Sequence, residues 1–324
     1  MKWTREVFSA HRETSFSGGF TLIELMIAMA VAALLFTAVY AAFGSQLRCH
    51  LEQQQTVDMQ QNIRAAFALM QRDIRMAGYD ATWRDDNSDG RHDLRNADLI
   101  DNDCDGRLDA ADPEGDEDND RAGFTAAYAH YLQLALDRGG DGDFCDSQDR
   151  IGFGFSTTRD RNRDGIADKG AAPLGRSVGA GGLQPLAENL QAVAFGYAFD
   201  DDYGTPITDG AIDTNGRAVV WAYDRDLDGF LDTRLDSNAD GRIDSADDLD
   251  GNGRVDDAAL TPAVPIRRIR AVQVWLLART RSPLRNLSDT TTYVVGNKIL
   301  RFGDGYKRVL LTTVVSCRNL GLRR

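Results

Sequence analysis

Residues 20–43, FTLIELMIAMAVAALLFTAVYAAF, form an apolar run with one acid, Glu24, and no base. As a helix, a run of this length spans about 36 Å at 1.5 Å per residue, enough to cross a hydrocarbon layer of about 30 Å. The residues before it carry Lys2, Arg5 and Arg12 against Glu6 and Glu13. Positive charge ahead of a span predicts that residues 1–19 stay in the cytoplasm and the rest is exported. A cleavable secretory signal would have an apolar core of about 7–15 residues with a small-residue cleavage site after it. Here the small residues, Gly18 and Gly19, come before the run. Cleavage there would leave the helix on the mature protein as an anchor. An uncleaved single-pass anchor is the simpler alternative. Glu24 argues against it, because an ionised carboxylate in lipid calls for a partner. A free ammonium on Phe20 would be one.

The hexapeptide GFTLIE, Gly19–Glu24, followed by about 20 apolar residues, resembles the prepilin peptidase recognition motif of the type IV pilin superfamily. The resemblance implies cleavage between Gly19 and Phe20, N-methylation of Phe20, and a Glu24 charge that sets subunit register in a filament. From Gln46 to Met76 the chain lacks Pro and Gly. Leu47, Leu51, Val57, Ile63, Phe67, Met70 and Ile74 recur there at helical spacing, and Gly78 is a natural stop. One helix is therefore expected from about Phe20 to Ala77. The segment QQNIRAAFALMQRDIRMAGYD, Gln60–Asp80, is similar to the helix end of PilW-type minor pilins. VQVWLLART (Val272–Thr280) and YKRVLLTTVVSCRNLGL (Tyr306–Leu322) resemble the final strands of that family. A type II secretion pseudopilin of the GspJ type shares the motif and the helix. A membrane-tethered calcium-dependent adhesin is an alternative of another class.

Other strand-like runs, rich in β-branched and aromatic residues, fall at Ala126–Leu136, Ile151–Ser156, Leu190–Phe199, Arg217–Tyr223, Ile266–Thr280, Thr290–Val295 and Lys307–Cys317. One long helix followed by mostly antiparallel strands predicts an α+β fold. The expected organisation is a cleaved leader 1–19, a transmembrane half-helix 20–43, an amphipathic half-helix 44–78 and a β-rich exported domain 79–324. The GAGG run, Gly179–Gly182, reads as a loop without a phosphate-binding role, since no Lys-Ser/Thr follows it.

The formal charge is −13, and 43 of the 50 acids are Asp. A net acidic chain argues against a nucleic-acid partner. Asp favours turns and hard-cation ligation over helix interiors. Residues 85–120 hold 13 Asp and residues 224–257 hold 12. Their spacing is that of calcium loops, which need oxygen ligands at positions 1, 3, 5, 9 and 12, a carbonyl at 7 and Gly at 6. Two segments meet every requirement. The first offers Asp101, Asp103, Asp105, the Arg107 carbonyl, Asp109 and Asp112; the second offers Asp236, Asn238, Asp240, the Arg242 carbonyl, Asp244 and Asp247. Both resemble dockerin-type loops.

Others are partial. Asp85, Asn87, Asp89 and Asp93 fit until Asn96; Asp160, Asn162, Asp164 and Asp168 fit until Ala171. Asp224, Asp226, Asp228, the Phe230 carbonyl and Asp232 fit until Leu235, and Asp248, Asp250, Asn252 and Asp256 fit until Ala259. First ligands at Asp224, Asp236 and Asp248 recur with a 12-residue period. Asp236 is expected to complete the loop before it, and Asp248 to bridge likewise, as in thrombospondin type 3 arrays. A solvated acidic surface would need neither the sixth-position Gly nor the alternate spacing. Without calcium these segments have too few apolar residues to order themselves.

Adjacent Asp residues in polar loops do not supply the desolvated pair of a glycosidase, and nothing else marks an enzyme. His11, His50, His92 and His130 are scattered, with no zinc spacing. Cys49, Cys104, Cys145 and Cys317 all follow the span, where disulfides are permitted. Cys104–Cys145 is the favoured pairing and Cys49–Cys317 a second, with free thiols the alternative. The whole reading predicts a minor pilin acting in priming or at the tip. It would sit in the inner membrane with its domain in the periplasm, then on the cell surface. The expected partners are major and minor pilins, prepilin peptidase, the assembly platform and a tip adhesin.

Overall fold

The computed structural model describes residues 19–79, 123–140, 146–201, 211–215 and 218–320. Helix α1 runs from Leu22 to Arg75, two residues inside the expected span at each end. The chain divides into two compact units after Gln53. In the first, the apolar side chains of α1 are exposed, Leu34 and Phe36 by more than 70%. The helix is long and apolar enough to cross a membrane, with a mean hydropathy of 2.4 over its most apolar 18 residues.

In the second unit the remainder of α1 is amphipathic. Met59, Ile63, Ala66, Phe67, Met70 and Ile74 are buried, at the three- and four-residue steps that put side chains on one helical face. They join one hydrophobic cluster with Leu132, Phe153, Leu174, Leu190 and Phe195 of the sheet. An ion pair fixes the helix against the sheet, with Arg176 Nε donating to Asp73 Oδ2 at 2.7 Å. Asn62 Nδ2 donates to the Glu188 carbonyl at 3.0 Å. The helix ends where Gly78 takes a left-handed φ of +67° and its N–H reaches the Ala135 carbonyl at 2.9 Å, a turn that favours Gly because it has no Cβ.

The sheet has ten antiparallel strands. β1 (Phe124–Ala127), β2 (Tyr131–Ala135), β3 (Arg150–Gly154), β4 (Ala172–Val178) and β5 (Gln184–Phe199) follow in order. β5 continues to β8 (Ala222–Tyr223), β9 (Phe230–Arg234) and β10 (Ala258–Pro265), and also pairs with β11 (Ile269–Arg279), which carries β14 (Arg308–Ser316). Two short hairpins stand apart, β6 (Thr214–Asn215) with β7 (Ala218–Val219), and β12 (Thr292–Val295) with β13 (Lys298–Arg301). Every residue of β5 from Leu190 to Phe199 is buried. That is why AVAFGYAF reads as a continuous apolar run rather than an alternating one: both faces of this strand are covered.

The expected α+β architecture is present, with differences in detail. The run Ala126–Leu136 is two strands, because Tyr128 N–H bonds the Tyr131 carbonyl and closes a turn inside it. The GAGG loop is the turn between β4 and β5. β4, β6, β9, β10 and β13 were not expected as strands.

Cys49 and Cys317 are both free thiols in this structure. Cys49 is exposed on α1, whereas Cys317 is fully buried, its N–H held by the Arg270 carbonyl at 2.8 Å. Burial pushes the Cys317 thiol up to about 12, against the pull of Arg270, so it stays protonated and unreactive at neutral pH. Cys104 and Cys145 lie outside the described residues.

Candidate functional site

Gly19 and Phe20 precede α1, and Glu24 lies in its first turn. Thr21 precedes the helix, and its N–H and Oγ1 donate to Glu24 Oε2 at 3.0 and 2.9 Å. In return the Glu24 N–H reaches Thr21 Oγ1 at 3.3 Å. This is a reciprocal capping box, T-x-x-E, which satisfies two of the orphan amides at the helix start. The signature is legible at Thr21–Glu24 but was not drawn from the sequence. Glu24 thus has a local role as a cap besides any role toward an amine.

The second unit contains four of the acidic loops: A, Asp160–Asp168; B, Asp224–Asp232; C, Asp236–Asp247; and D, Asp248–Asp256. The loops at Asp85–Asp93 and Asp101–Asp112 lie outside the described residues. Loops A to D share one backbone form. The sixth residue, Gly165, Gly229, Gly241 or Gly253, has φ between +77° and +89°. The fourth is left-handed too, at Arg163, Leu227, Ala239 and Gly251. In each loop the first Asp accepts the sixth-position amide: Gly165 N to Asp160 at 2.7 Å, Gly229 N to Asp224 at 3.1 Å, Gly241 N to Asp236 at 2.8 Å and Gly253 N to Asp248 at 3.0 Å. The eighth position is apolar throughout, and Ala167, Leu231 and Val255 are buried there. That side chain ties each polar loop to the core, a feature readable from the sequence but not noticed in it.

Loops B and D bring carboxylates together. One oxygen each from Asp224, Asp226 and Asp232 lie within 4.8 Å of one another, as do those of Asp248, Asp250 and Asp256. Asp248 Oδ1 is buried with no hydrogen-bond partner. Burial, with Asp228 and Asp232 adding to it, raises the Asp224 carboxyl above its ordinary range against the pull of the Gly229 and Leu227 amides. Three acids held this close without a cation repel one another, and hard oxygen donors in this arrangement suit calcium. Asp228 turns to the Phe230 amide at 2.9 Å instead.

Loop C is complete by spacing but arranged differently. Asp247 is fully buried and accepts from the amides of Ser237, Asn238 and Asp244. Asp244 caps the same turn by accepting from Ala246 N at 2.7 Å, a second capping box. Asp236 turns both oxygens to Asp240 N and Gly241 N of its own loop, and Asp240 takes the Arg242 amide. Asp236 is not among the three carboxylates that converge in loop B.

In loop A, Asp164 accepts from Asn162 Nδ2 and Ile166 N, both at 2.8 Å, and Asp168 from Arg161 N at 3.2 Å. Loops A, B and D border a common cleft of about 520 Å3 with the turn Tyr128–His130 and with Lys298. Burial pulls the His130 imidazole down to about 4, Lys298 and Arg163 adding to it, so this side chain is neutral at pH 7. Burial also pulls Lys298 down to about 8, opposed by Asp164 and Asp160. The clustering of three distant loops around one cleft has no signal in local spacing.

Residues 15–40 match the Prokaryotic N-terminal methylation motif. No curated protein matches the chain. Among solved structures, a type IV-like pilin from Thermus thermophilus is similar at 17% identity over 59% of this chain and 78% of that one, with a TM-score of 0.26. The N terminus of this chain carries the methylation motif at the head of an exposed, apolar helix of membrane-spanning length.

Proposed function

We propose that the chain is a PilW-like minor pilin of a type IV pilus, with an exported domain stiffened by calcium in its Asp loops. The observation that carries the assembly role is the methylation motif placed on an apolar helix whose side chains have no cover within their own unit. Such a helix needs lipid or other apolar helices around it. In this reading prepilin peptidase cuts after Gly19, and the assembly platform moves the subunit from the inner membrane into a bundle of major and minor pilins. Glu24 then pairs with an N-terminal ammonium, which relieves the cost of a carboxylate among apolar helices. A position at the tip would bring a tip adhesin as a further partner.

Mass spectrometry of the mature protein tests the processing step. The expected N terminus is methylated Phe20, and a chain that keeps residues 1–19 in sheared pili would overturn it. Glu24→Ala is expected to reduce recovery in sheared pili at least tenfold, with the membrane pool unchanged. Equal recovery would sink the register role. Recovery only from the cell envelope, never from pili, would favour a secretion-system pseudopilin.

Calcium is supported by the converging triads of loops B and D and by the buried, unpartnered Asp248 Oδ1. The ion would be held by Asp224, Asp226 and Asp232 in one loop and by Asp248, Asp250 and Asp256 in the other. Magnesium suits these loops less, because it sheds water reluctantly.

A further inference from the structure

We infer that loop A is closed by a lysine of its own chain in place of a divalent cation, with the Lys298 ammonium supplying the positive charge. The contrast with loops B and D rests on the calcium reading above; the role of Lys298 does not. Loop A has the shared backbone form, and its first acid, Asp160, is 3% exposed. A carboxylate buried to that degree needs compensating charge or donors. Two amides supply part of this, Asp164 N at 3.1 Å and Gly165 N at 2.7 Å.

Across the cleft an ammonium stands close to the same loop. Lys298 is 6% exposed, and its side chain lies over the sixth residue of the loop. A Cβ placed on Gly165 would come 3.1 Å from Lys298 Cε and 3.2 Å from Nζ. The ammonium donates to Asn297 Oδ1 at 2.8 Å. Among the described residues that is its one hydrogen bond, and Asp164 and Asp160 are the acids that attract it most. Its backbone is set by the β12–β13 hairpin, where Lys298 pairs with Val295, and by a bridge to Arg254 of loop D. Loop A is held on its other side by β5, through Val193 N to the Gly165 carbonyl and Ala167 N to the Gln191 carbonyl, both at 2.9 Å.

The donor set agrees. Where B and D gather three carboxylate oxygens at one point, the acids of A are turned to separate partners: Asp164 to Asn162 and Ile166, Asp168 to Arg161. A divalent ion in loop A would add to the charge of a nearby ammonium already fixed in a low-dielectric site, and like charges there repel. Lys298 therefore stands in loop A where B and D would hold an ion.

Hydrogen exchange read by mass spectrometry on the full chain in detergent micelles tests this, once in 2 mM calcium and once in EGTA. Protection of residues 159–168 is expected to stay within about twofold on chelation, while 224–234 and 248–257 lose at least tenfold. A loss in 159–168 equal to that in 248–257 would overturn the inference. In Lys298→Met the same segment is expected to lose at least tenfold protection in EGTA and regain it in calcium. Equilibrium dialysis should then count one more calcium ion per chain than in the wild type. Unchanged protection and stoichiometry in that variant would also overturn it. If the variant does not fold, the wild-type comparison decides alone. Silence of 224–234 and 248–257 toward EGTA would instead sink the calcium reading, leaving the Lys298→Met exchange to judge loop A.

Discussion

Replacing Arg308 with methionine is expected to lower the stability of the second unit by about 3–5 kcal/mol, the usual cost of removing one partner from a buried charge cluster. The Arg308 side chain is fully buried at the start of β14. Its Nη1 donates to Asp289 at 3.0 Å and to Asp304 at 2.7 Å, its Nη2 to the other Asp304 oxygen at 2.7 Å, and its Nε to Gln191 at 2.6 Å. The guanidinium also lies 3.7 Å from the centroid of the Phe302 ring. Methionine fills similar volume but leaves Asp289, itself 6% exposed, as an uncompensated buried acid.

The pH dependence follows from the same contacts. The Arg308 hydrogen bonds hold Asp304 below the usual carboxylate range, and they do so for Asp289 against the opposing effect of its burial. A depressed native value means stability that is present above the unfolded value near 4 and lost as pH falls through the native one. Urea melts of wild type and Arg308→Met should therefore differ most at neutral pH and converge below about pH 4. A gap that persists unchanged in acid would assign the loss to packing rather than to charge.

Chelation is expected to lower the thermal midpoint of the second unit by about 6–12 °C. At free calcium about ten times the dissociation constant, each occupied site adds about 1.4 kcal/mol by linkage. Two sites add about 3 kcal/mol, and each kcal/mol moves the midpoint of a domain of this size by about 2–4 °C. Extracellular calcium modules bind at roughly 0.1–1 mM, so the effect should saturate in the millimolar range. Asp226→Asn combined with Asp250→Asn removes one ligand charge from each converging triad. Both residues are exposed, so the variant should fold, and its midpoint should no longer respond to calcium. A midpoint that ignores EGTA in the wild type would remove calcium from the account.

How far the loops could be read from sequence differs from one to the next. Position 6 is Gly in all of them, and the left-handed φ there explains why. The sequence ranked loop C above B and D because only C has an acid at position 12. In the structure that acid, Asp247, turns inward and binds amides, while the shorter sets of B and D converge. Ligand spacing is a local property of the chain. Where a carboxylate points depends on the donors that neighbouring backbone brings to it.

The strands show the same division. β5 and β11 were legible because a strand covered on both faces must be apolar throughout. β4, APLGRSV, contains Gly and Pro and has little strand propensity of its own; pairing with β3 and β5 makes it a strand. β9 was hidden inside the Asp repeat, where Leu231 serves both as the eighth loop position and as core.

The apolar run at residues 20–43 needed no tertiary context. A segment that cannot be hydrated forms a helix and seeks an apolar environment whatever follows it, and the motif at its head is contiguous in sequence. The amphipathic continuation was equally plain, since one face carries the side chains that enter the core. The cleft of loops A, B and D, and the lysine over Gly165, belong to the tertiary structure alone. They join residues more than a hundred positions apart, and only strand pairing across β5, β12 and β13 brings that lysine over Gly165.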